Sequence, residues 1–286
     1  MIYSINNGFI KLDVDNHGAE AIRLFFHDLN LLRTKDDVWG RTSPILWPIV
    51  GNLKDKYTII NGKTYEMKNH GFLRDRDWEV VKHDNNRLVL VNYYDDETLK
   101  RFPFKYKAQM EYVSNKESLK VIIRIKNIDE VDFCYNIGAH PGFRCPLFDG
   151  EQFEDYRIVF KNKETFDAPS YKKGLWDFNK PAFIFKNAKE IKLDYKYFQI
   201  DALVIKNIKS KEVSLLNKDN HGIVFRFNGF NTLAFWTIPN NQYICFEPWN
   251  GYDDLIDSDH EFVKKDDLIY IKPNEEKEVS YEISMK

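Results

Sequence analysis

The feature that most constrains the fold of this chain is a hydrophobic pattern with a period of two residues. In the segment FKYKAQMEYV, residues 104–113, apolar side chains alternate with polar ones, and LKVIIRIKNI, residues 119–128, repeats the pattern after the polar stretch SNKES. Successive side chains of a β-strand point to opposite faces, so the alternation predicts two half-buried strands. The short polar connection predicts that they form an antiparallel hairpin.

Similar alternation recurs in FIKLDV near the start, in RLVLVNYY, in IVFRFNG and in VSYEISM near the end. Phe, Tyr and Trp make up 15% of the residues, and aromatic side chains favour strands because they pack well on pleated surfaces. One short helix is predicted in DDETLKRF, with Asp95 or Asp96 as its N-cap and Pro103 at its exit. Many strands without intervening helices predict an all-β fold, a large antiparallel β-sandwich.

The length of the chain and the absence of linkers bear on its domain organisation. At 286 residues an all-β fold commonly forms one unit, and the sequence contains neither an internal repeat nor a Pro/Ser-rich linker. We therefore predict a single domain over residues 1–286. The least regular part is residues 154–189, which mix Lys, Asn and turn residues, so we expect a long connection or a small excursion there.

Charge and cysteine content argue against several classes of function. The chain has 42 Lys+Arg and 44 Asp+Glu, a net charge of −2, so no overall field attracts nucleic acid or acidic lipid. It shows neither a basic–apolar leader nor an apolar run long enough to span a membrane. The odd set Cys134, Cys145 and Cys245 contains no CxxC pair, which indicates buried thiols in a reducing compartment. We expect a cytoplasmic protein without nucleic-acid or membrane partners.

Common cofactor and metal motifs do not occur in the sequence. We find no glycine-rich phosphate loop, no GxSxG nucleophile elbow and no dinucleotide fingerprint. No pair among the seven histidines has the close spacing of HxH or HExxH ligands. We therefore expect no cofactor and no metal site.

Two ionisable residues stand where strands are expected to end. Glu247 follows the apolar run YICF and precedes Pro248, and proline cannot continue the hydrogen-bond ladder of a central strand. We therefore predict a strand that ends at this point and carries the Glu247 carboxylate at its end. His140 follows the strand FCYNIG and precedes Pro141, and histidine switches charge near neutral pH. Each also has an ordinary interpretation, namely a surface glutamate at a strand end and a satisfied structural histidine.

A further candidate, His70, lies in the segment NHGFLRDRDW, in a loop expected to precede a strand. Arg74 and Arg76 follow within a few positions, and a basic group of this kind binds hydroxyls, a carboxylate or a phosphate. A solvated charged loop would explain the same pattern.

Taken together, four segments resemble the aldose 1-epimerase (mutarotase) family, and more closely its LacX-like branch. They are SPILWPIVGNLKDKYTIINGKTYEMKNHGFLRD, IGAHPGFRCPL, DALVI and CFEPWNG, which follow one another in the family's order along nearly the whole chain. The resemblance implies a large β-sandwich of the galactose mutarotase type, with a cleft for a small sugar substrate on one concave sheet.

The resemblance also implies residue roles. In the family a glutamate takes the proton of the anomeric hydroxyl while a histidine gives a proton to the ring oxygen, and by motif position these are Glu247 and His140. His70 corresponds to a second histidine that contacts substrate oxygens, and Asp201 of DALVI to a sugar-binding aspartate. Such acid–base ring opening proceeds without metal or cofactor.

One position departs from the family pattern. Where the family usually has a substrate-binding arginine ahead of NGKTY, this chain has Asn52, which can hydrogen-bond a hydroxyl but lacks the charge and the bidentate fork. Arg41 and Arg74 occupy places similar to those at which related hexose-6-phosphate epimerases hold phosphate. We therefore predict substrate contacts for Asn52, Arg41 and Arg74. Bracing of neighbouring loops by the two arginines, through carboxylates such as Asp75, remains an open alternative.

Three functional hypotheses follow from these residues. The first is a mutarotase acting on a free aldohexose, and the second is a hexose-6-phosphate 1-epimerase that uses Arg41 and Arg74 for the phosphate. The third is a non-catalytic carbohydrate-binding protein, which the loss of the arginine at Asn52 would allow and which the presence of both Glu247 and His140 argues against.

Overall fold

Antiparallel strands dominate the computed structural model, which describes residues 1–286. Strands β1–β23 span, in chain order, Ile2–Asn6, Ile10–Asp15, Glu20–Phe26, Leu29–Asn30, Ile45–Leu46, Tyr57–Ile60, Lys63–Glu66, Glu79–His83, Arg87–Tyr93, Tyr106–Ser114, Ser118–Asn127, Phe133–Tyr135, Ile137–Ala139, Gly142–Arg144, Arg157–Lys172, Leu175–Lys192, Ala202–Ile205, Glu212–Leu216, Gly222–Asn228, Thr232–Trp236, Tyr243–Asn250, Ile269–Ile271 and Glu276–Met285. The α-helix α1 spans Asp96–Leu99, and short 3-10 turns span Lys54–Lys56, Leu73–Asp75, Phe153–Asp155, Tyr195–Phe198 and Phe262–Lys264. None of the helices is long and apolar enough to cross a membrane.

Two sheets form the body of the molecule. The larger has nine strands in the order β16-β15-β18-β19-β23-β11-β10-β9-β8, and the smaller has the order β17-β20-β21-β13-β5 with β14 also paired to β21. A four-stranded sheet, β1-β2-β3-β4, and two two-stranded sheets complete the structure. The prediction of a large antiparallel β-sandwich is confirmed.

The predicted hairpin and the predicted helix are both present. Strands β10 and β11 pair antiparallel with Met110 opposite Ile123, and the apolar face of each strand is buried as the alternation predicts. At α1, the Asp95 carboxylate accepts a hydrogen bond from the Thr98 N–H at 2.9 Å, and the Thr98 hydroxyl oxygen accepts one from the Asp95 N–H. These two bonds satisfy donors that a helix N-terminus leaves free, so Asp95 is the N-cap.

Of the two alternatives expected for residues 154–189, the long connection is wrong, whereas a small excursion agrees with the structure. Those residues form the longest hairpin of the protein, β15 and β16, which has register shifts after Val159, Glu164, Ala168 and Pro169. Two of the shifts leave one extra residue in one strand and two leave three, and an odd number of extra residues reverses which side chains face inward. The strands therefore lose the period-two pattern in the sequence although their pairing continues.

Aromatic side chains join the two large sheets. Phe225 of β19 is fully buried, and its ring centroid lies 6.0 Å from that of Phe143 and 5.8 Å from that of Phe246, both on the smaller sheet. Its ring also stacks on Tyr281 of the larger sheet at 5.4 Å. Edge-to-face and offset pairs of this kind contribute beyond the area that they bury.

We expect Phe225→Ala to lower the free energy of unfolding by about 3–5 kcal/mol, because it leaves a cavity between the two sheets. Urea denaturation followed by fluorescence measures the change. The control is Tyr270→Ala, whose side chain is 62% exposed and should stay within about 0.5 kcal/mol of the unsubstituted protein. Equal stability of the two variants would contradict the packing described here.

Candidate active site

A cleft of about 330 Å³ opens on the face of the smaller sheet that points away from the main core. Alternation along the strands creates this second face, since Leu203 and Ile205 of β17 enter the main core while Ala202 and Val204 belong to a separate small cluster beside the cleft. The ionisable residues of the cleft wall are His70, Arg74, His140, Asp201, Glu247 and Asp253. Four aromatic side chains, Trp39, Tyr171, Trp236 and Trp249, line it as well.

Glu247 stands in the middle of β21, and the prediction that its strand ends at Pro248 is wrong. Strand β21 continues to Asn250, with Pro248 paired to Leu233 of β20. On its other side, β21 pairs with β14 up to Cys245 and with β13 from Trp249 onward, so the interval between them carries no ladder. A proline, which has no N–H to donate, fits in that interval.

His140 occupies the interval between β13 and β14 and faces Glu247. Its backbone N–H donates to the Pro44 carbonyl at 3.1 Å, and its Nε2 lies 3.0 Å from Glu247 Oε2. The ring packs against Trp39 and Trp236, with centroid separations of 4.8 and 5.4 Å. His140 and Glu247 are 6% and 1% exposed, so the contact is buried at the floor of the cleft.

Burial opposes charge on both members of the pair. It raises the pKa of Glu247 well above its usual value, and the carboxyls of Asp201 and Asp253 act in the same direction. It lowers the pKa of His140 to about 3, an effect that the positive charge of Arg74 increases. Charged groups lose solvation when they are buried, so both shifts favour the neutral forms. In the free protein burial therefore favours the protonated carboxyl of Glu247 and the neutral imidazole of His140.

His70 lies beside His140, with ring centroids 5.7 Å apart. The Gly51 N–H donates to His70 Nδ1 at 2.9 Å, which makes Nδ1 an acceptor and leaves the ring proton on Nε2. Burial lowers the pKa of His70 well below 6.5, and Arg74 lowers it further, so the ring is neutral. The side chain is therefore a fixed N–H donor in the cleft wall.

Asp201 precedes β17 with a φ of 112°, a backbone conformation that side-chain-bearing residues rarely adopt. The Trp236 indole N–H donates to its carboxyl oxygen at 3.1 Å. Burial, assisted by Asp253, raises the pKa of Asp201 to about 7. This residue can therefore accept hydrogen bonds from a ligand and titrates near physiological pH.

The two candidate arginines are placed differently. Arg74 lines the cleft and donates to the Asn69 carbonyl at 2.7 Å, while its Nε is buried without a partner. Arg41 is not part of the cleft wall, because it donates to the Arg74 carbonyl and forms ion pairs with Asp75 and Glu20. These contacts match the bracing alternative, and they do not bring Arg41 into the cleft with the other predicted site residues.

Asn52 is also outside the cleft wall. Its backbone N–H and its side-chain amide both donate to Asp253 Oδ1, at 2.7 and 3.0 Å, and the same amide donates to the Tyr171 hydroxyl at 3.1 Å. Asn52 thus stands behind two residues that do line the cleft and that the sequence analysis missed. The nearest signal was the position of Asp253 two residues after the motif CFEPWNG; Tyr171 lies in the region wrongly taken as a connection.

One group of side chains has the composition of a metal site. The ligand atoms of His140, Cys245 and Glu247 lie within 4.8 Å of one another. Burial raises the pKa of Cys245 well above its usual value, whereas a metal ligand is a thiolate. A metal-bound histidine also donates its second ring N–H, and His140 Nδ1 has no partner. The arrangement therefore fits an acid–base pair better than a metal centre.

We expect Asp201→Asn to change how stability depends on pH. Because the folded-state pKa of Asp201 is raised to about 7, the folded protein retains this proton where the unfolded chain has lost it, so stability falls as pH rises from about 4 to 7. The variant should gain about 1–3 kcal/mol relative to the unsubstituted protein between pH 4.5 and 8, as measured by urea denaturation. The exposed Asp219→Asn serves as control. An identical pH dependence of the two variants would contradict the burial of Asp201.

Comparison with known proteins agrees with the resemblance seen in the sequence. A model of the aldose 1-epimerase family matches residues 1–284. LacX of Lactococcus lactis subsp. lactis is 28% identical over 297 residues, covering 100% of this chain and 99% of LacX. A galactose mutarotase related enzyme from Lactobacillus acidophilus has a TM-score of 0.93 at 27% identity, covering 100% of this chain and 97% of that one. A galactose mutarotase-like protein from Lactobacillus casei has a TM-score of 0.91 at 22% identity, with both chains covered completely. The chain therefore belongs to the aldose 1-epimerase family, in its LacX-like branch.

Proposed function

We propose that the protein is an aldose 1-epimerase that interconverts the α and β anomers of a free aldohexose. The observation that carries this proposal is the buried 3.0 Å contact between His140 Nε2 and Glu247 Oε2 at the floor of an open cleft. A carboxylate next to an imidazolium supplies a base and an acid in one place. We propose further that residues 1–286 act as one domain in the cytoplasm, which the three buried free thiols support.

Anomer exchange moves one proton away from the anomeric hydroxyl and another to the ring oxygen. In the proposed reaction Glu247 takes the hydroxyl proton while His140 donates from Nε2 to the ring oxygen, the C1–O5 bond breaks and C1 becomes an aldehyde carbon. Rotation about C1–C2 turns the carbonyl, and the C1–O5 bond re-forms on its other face as both protons return. The reaction consumes neither electrons nor a co-substrate, and well-placed acid and base groups each contribute about 100- to 10,000-fold.

The position of the shared proton decides whether the pair is ready to react. In the free protein burial favours the proton on Glu247, whereas ring opening begins with the proton on His140. His140 Nε2 and Glu247 Oε2 are 3.0 Å apart but are not aligned as a hydrogen bond, so the transfer needs a small reorientation of the two side chains. Sugar hydroxyls that donate to the Glu247 carboxylate favour the transfer, because hydrogen bonds to a charged form stabilise it.

The remaining cleft residues have complementary proposed roles in binding. His70 offers a fixed Nε2–H donor, and Asp201 offers acceptor oxygens. Arg74 offers a guanidinium whose Nε has no protein partner. A sugar hydroxyl both donates and accepts hydrogen bonds, so a wall with both kinds of group suits a polyhydroxy ligand.

The charges of the cleft support a free sugar over a sugar phosphate. Arg41 is engaged by Asp75 and Glu20, which leaves Arg74 as the one arginine in the cleft wall. Three carboxyls, those of Glu247, Asp201 and Asp253, share this space. A phosphate dianion would meet these carboxyls with a single arginine as counter-charge, which is unfavourable in a partly desolvated site.

We expect Glu247→Gln and His140→Asn each to lower kcat by about 100- to 10,000-fold, because each removes one proton-transfer group. Polarimetry of freshly dissolved α-glucose and α-galactose measures the rate of anomer equilibration. The exposed substitutions Glu276→Gln and His221→Asn change the same chemical groups away from the cleft and should leave the rate unaltered.

Thermal unfolding and sugar titration of the same samples separate loss of catalysis from loss of folding. Full activity in either cleft variant would remove the proposed mechanism. A protein that binds aldohexoses but does not accelerate their anomerisation would be a carbohydrate-binding protein instead.

A second pair of variants tests the phosphate alternative. We expect Arg74→Gln to lower kcat/KM for glucose by about 10-fold or more, because it removes a charged hydrogen-bond donor from the cleft. Arg41→Gln should change kcat/KM by less than about 3-fold for both glucose and glucose 6-phosphate, since Arg41 faces Asp75 and Glu20. A preference for glucose 6-phosphate that disappears in Arg41→Gln would establish the hexose-6-phosphate epimerase instead.

A further inference from the structure

The hairpin β15–β16, at the edge of the larger sheet, carries a residue into the wall of the cleft. Only Arg157–Phe160 of β15 also pair with β18, so the rest of the hairpin extends beyond the sheet as a two-stranded arm. Trp176 near the arm's tip is fully buried, and its backbone N–H donates to the Asp254 carbonyl at 3.3 Å. The arm is thus anchored beside the cleft, and Tyr171 forms part of the cleft wall.

The hydroxyl of Tyr171 is fixed by two protein hydrogen bonds. It accepts from the Asn52 side-chain amide at 3.1 Å and donates to Asp253 Oδ1 at 3.2 Å. Its ring also packs on Trp176 with a centroid separation of 4.3 Å. Both the ring plane and the direction of the hydroxyl proton are therefore determined before any ligand binds.

The Tyr171 hydroxyl has limited hydrogen-bonding capacity left for a ligand. A tyrosine hydroxyl has one proton and two lone pairs. The proton is committed to Asp253, and one lone pair is committed to Asn52. One lone pair is left, so towards the cleft Tyr171 is an acceptor only.

We propose that Tyr171 accepts a hydrogen bond from one hydroxyl of the sugar ring and thereby determines which aldohexoses bind well. The inference rests on the proposed function for its substrate class. The group that it recognises must be a hydrogen-bond donor, which a sugar hydroxyl is, because a phosphate dianion or a carboxylate has no proton to give and would face the Asp253 carboxyl. An epimer or deoxy analogue that lacks a donor at this point loses the bond.

Asn52 and Asp253 act as positioning residues for Tyr171. The Asn52 side-chain amide donates to both Tyr171 and Asp253, while the Trp176 indole N–H donates to Asp253 Oδ2 at 3.1 Å. This network joins three segments that are far apart in the sequence. It gives Asn52 an indirect role in substrate recognition although its side chain does not face the cleft.

The test measures coupling between Tyr171 and individual sugar hydroxyls. Glucose, galactose and their monodeoxy analogues are titrated against the unsubstituted protein and Tyr171→Phe, and tryptophan fluorescence reports binding because Trp39, Trp236 and Trp249 line the cleft. We expect one deoxy position to weaken binding to the unsubstituted protein by about 3- to 10-fold, and to have no further effect in Tyr171→Phe. Asn52→Ala should weaken the same coupling.

The matched control is Tyr197→Phe, a half-buried tyrosine that packs on the arm at Phe183 and Phe185, outside the cleft wall. It should leave the deoxy-sugar pattern unchanged. Equal deoxy penalties in the unsubstituted protein and Tyr171→Phe at every ring position, or no binding of any of these sugars, would overturn the inference. Coupling between Tyr171 and a sugar hydroxyl without accelerated anomerisation would support the inference and reject the epimerase function. Accelerated anomerisation without such coupling would support the epimerase function and reject the inference.

Discussion

The site depends on one interruption in the smaller sheet. Between β13 and β14 the chain passes through His140 and Pro141, and opposite this interval Pro248 leaves β21 without an N–H to pair. The Pro141 carbonyl accepts the Phe246 N–H at 3.1 Å, which keeps the two segments together on either side of the interruption. Glu247 is thereby held in mid-strand on a rigid element while His140 is free of the ladder and faces it. A side chain on a rigid element keeps its position better than one on a loop, so Glu247 is the fixed member of the pair.

Burial in the cleft disfavours ionisation of its three carboxyl groups. Glu247, Asp201 and Asp253 all have a raised pKa, each mainly because of burial. Such a cluster destabilises the folded protein when it ionises, so the surrounding core must supply the compensating stability. Aromatic packing between the sheets, centred on Phe225, provides stability on the opposite face of the strands that carry the cleft. The main core and the cleft thus lie on opposite faces of the same strands.

Local features of the sequence account for much of the fold. Period-two alternation identified β10 and β11 because they lie within a regular sheet, and the Asp95 cap identified α1. Local patterns failed where the structure departs from them, at the bulges of β15–β16 and at Pro248 within β21. The family motifs predicted Glu247, His140, His70 and Asp201 as site residues, and all four line one cleft. They could not indicate Tyr171 or Asp253, because the bonds that place these residues join positions 82 to 201 residues apart in the chain.

The residue at position 52 determines which charges lie next to Asp253. Gly51 has a φ of 72°, and a Cβ there would lie 2.1 Å from the Asp253 carboxyl carbon, so the chain at this point is fitted closely around Asp253. An arginine at position 52 would bring a positive charge to Asp253 and favour its ionised form. Asn52 instead offers neutral donors, and burial raises the pKa of Asp253. Recognition at this corner then depends on directed hydrogen bonds through Tyr171, which suits a neutral sugar hydroxyl better than a charged group.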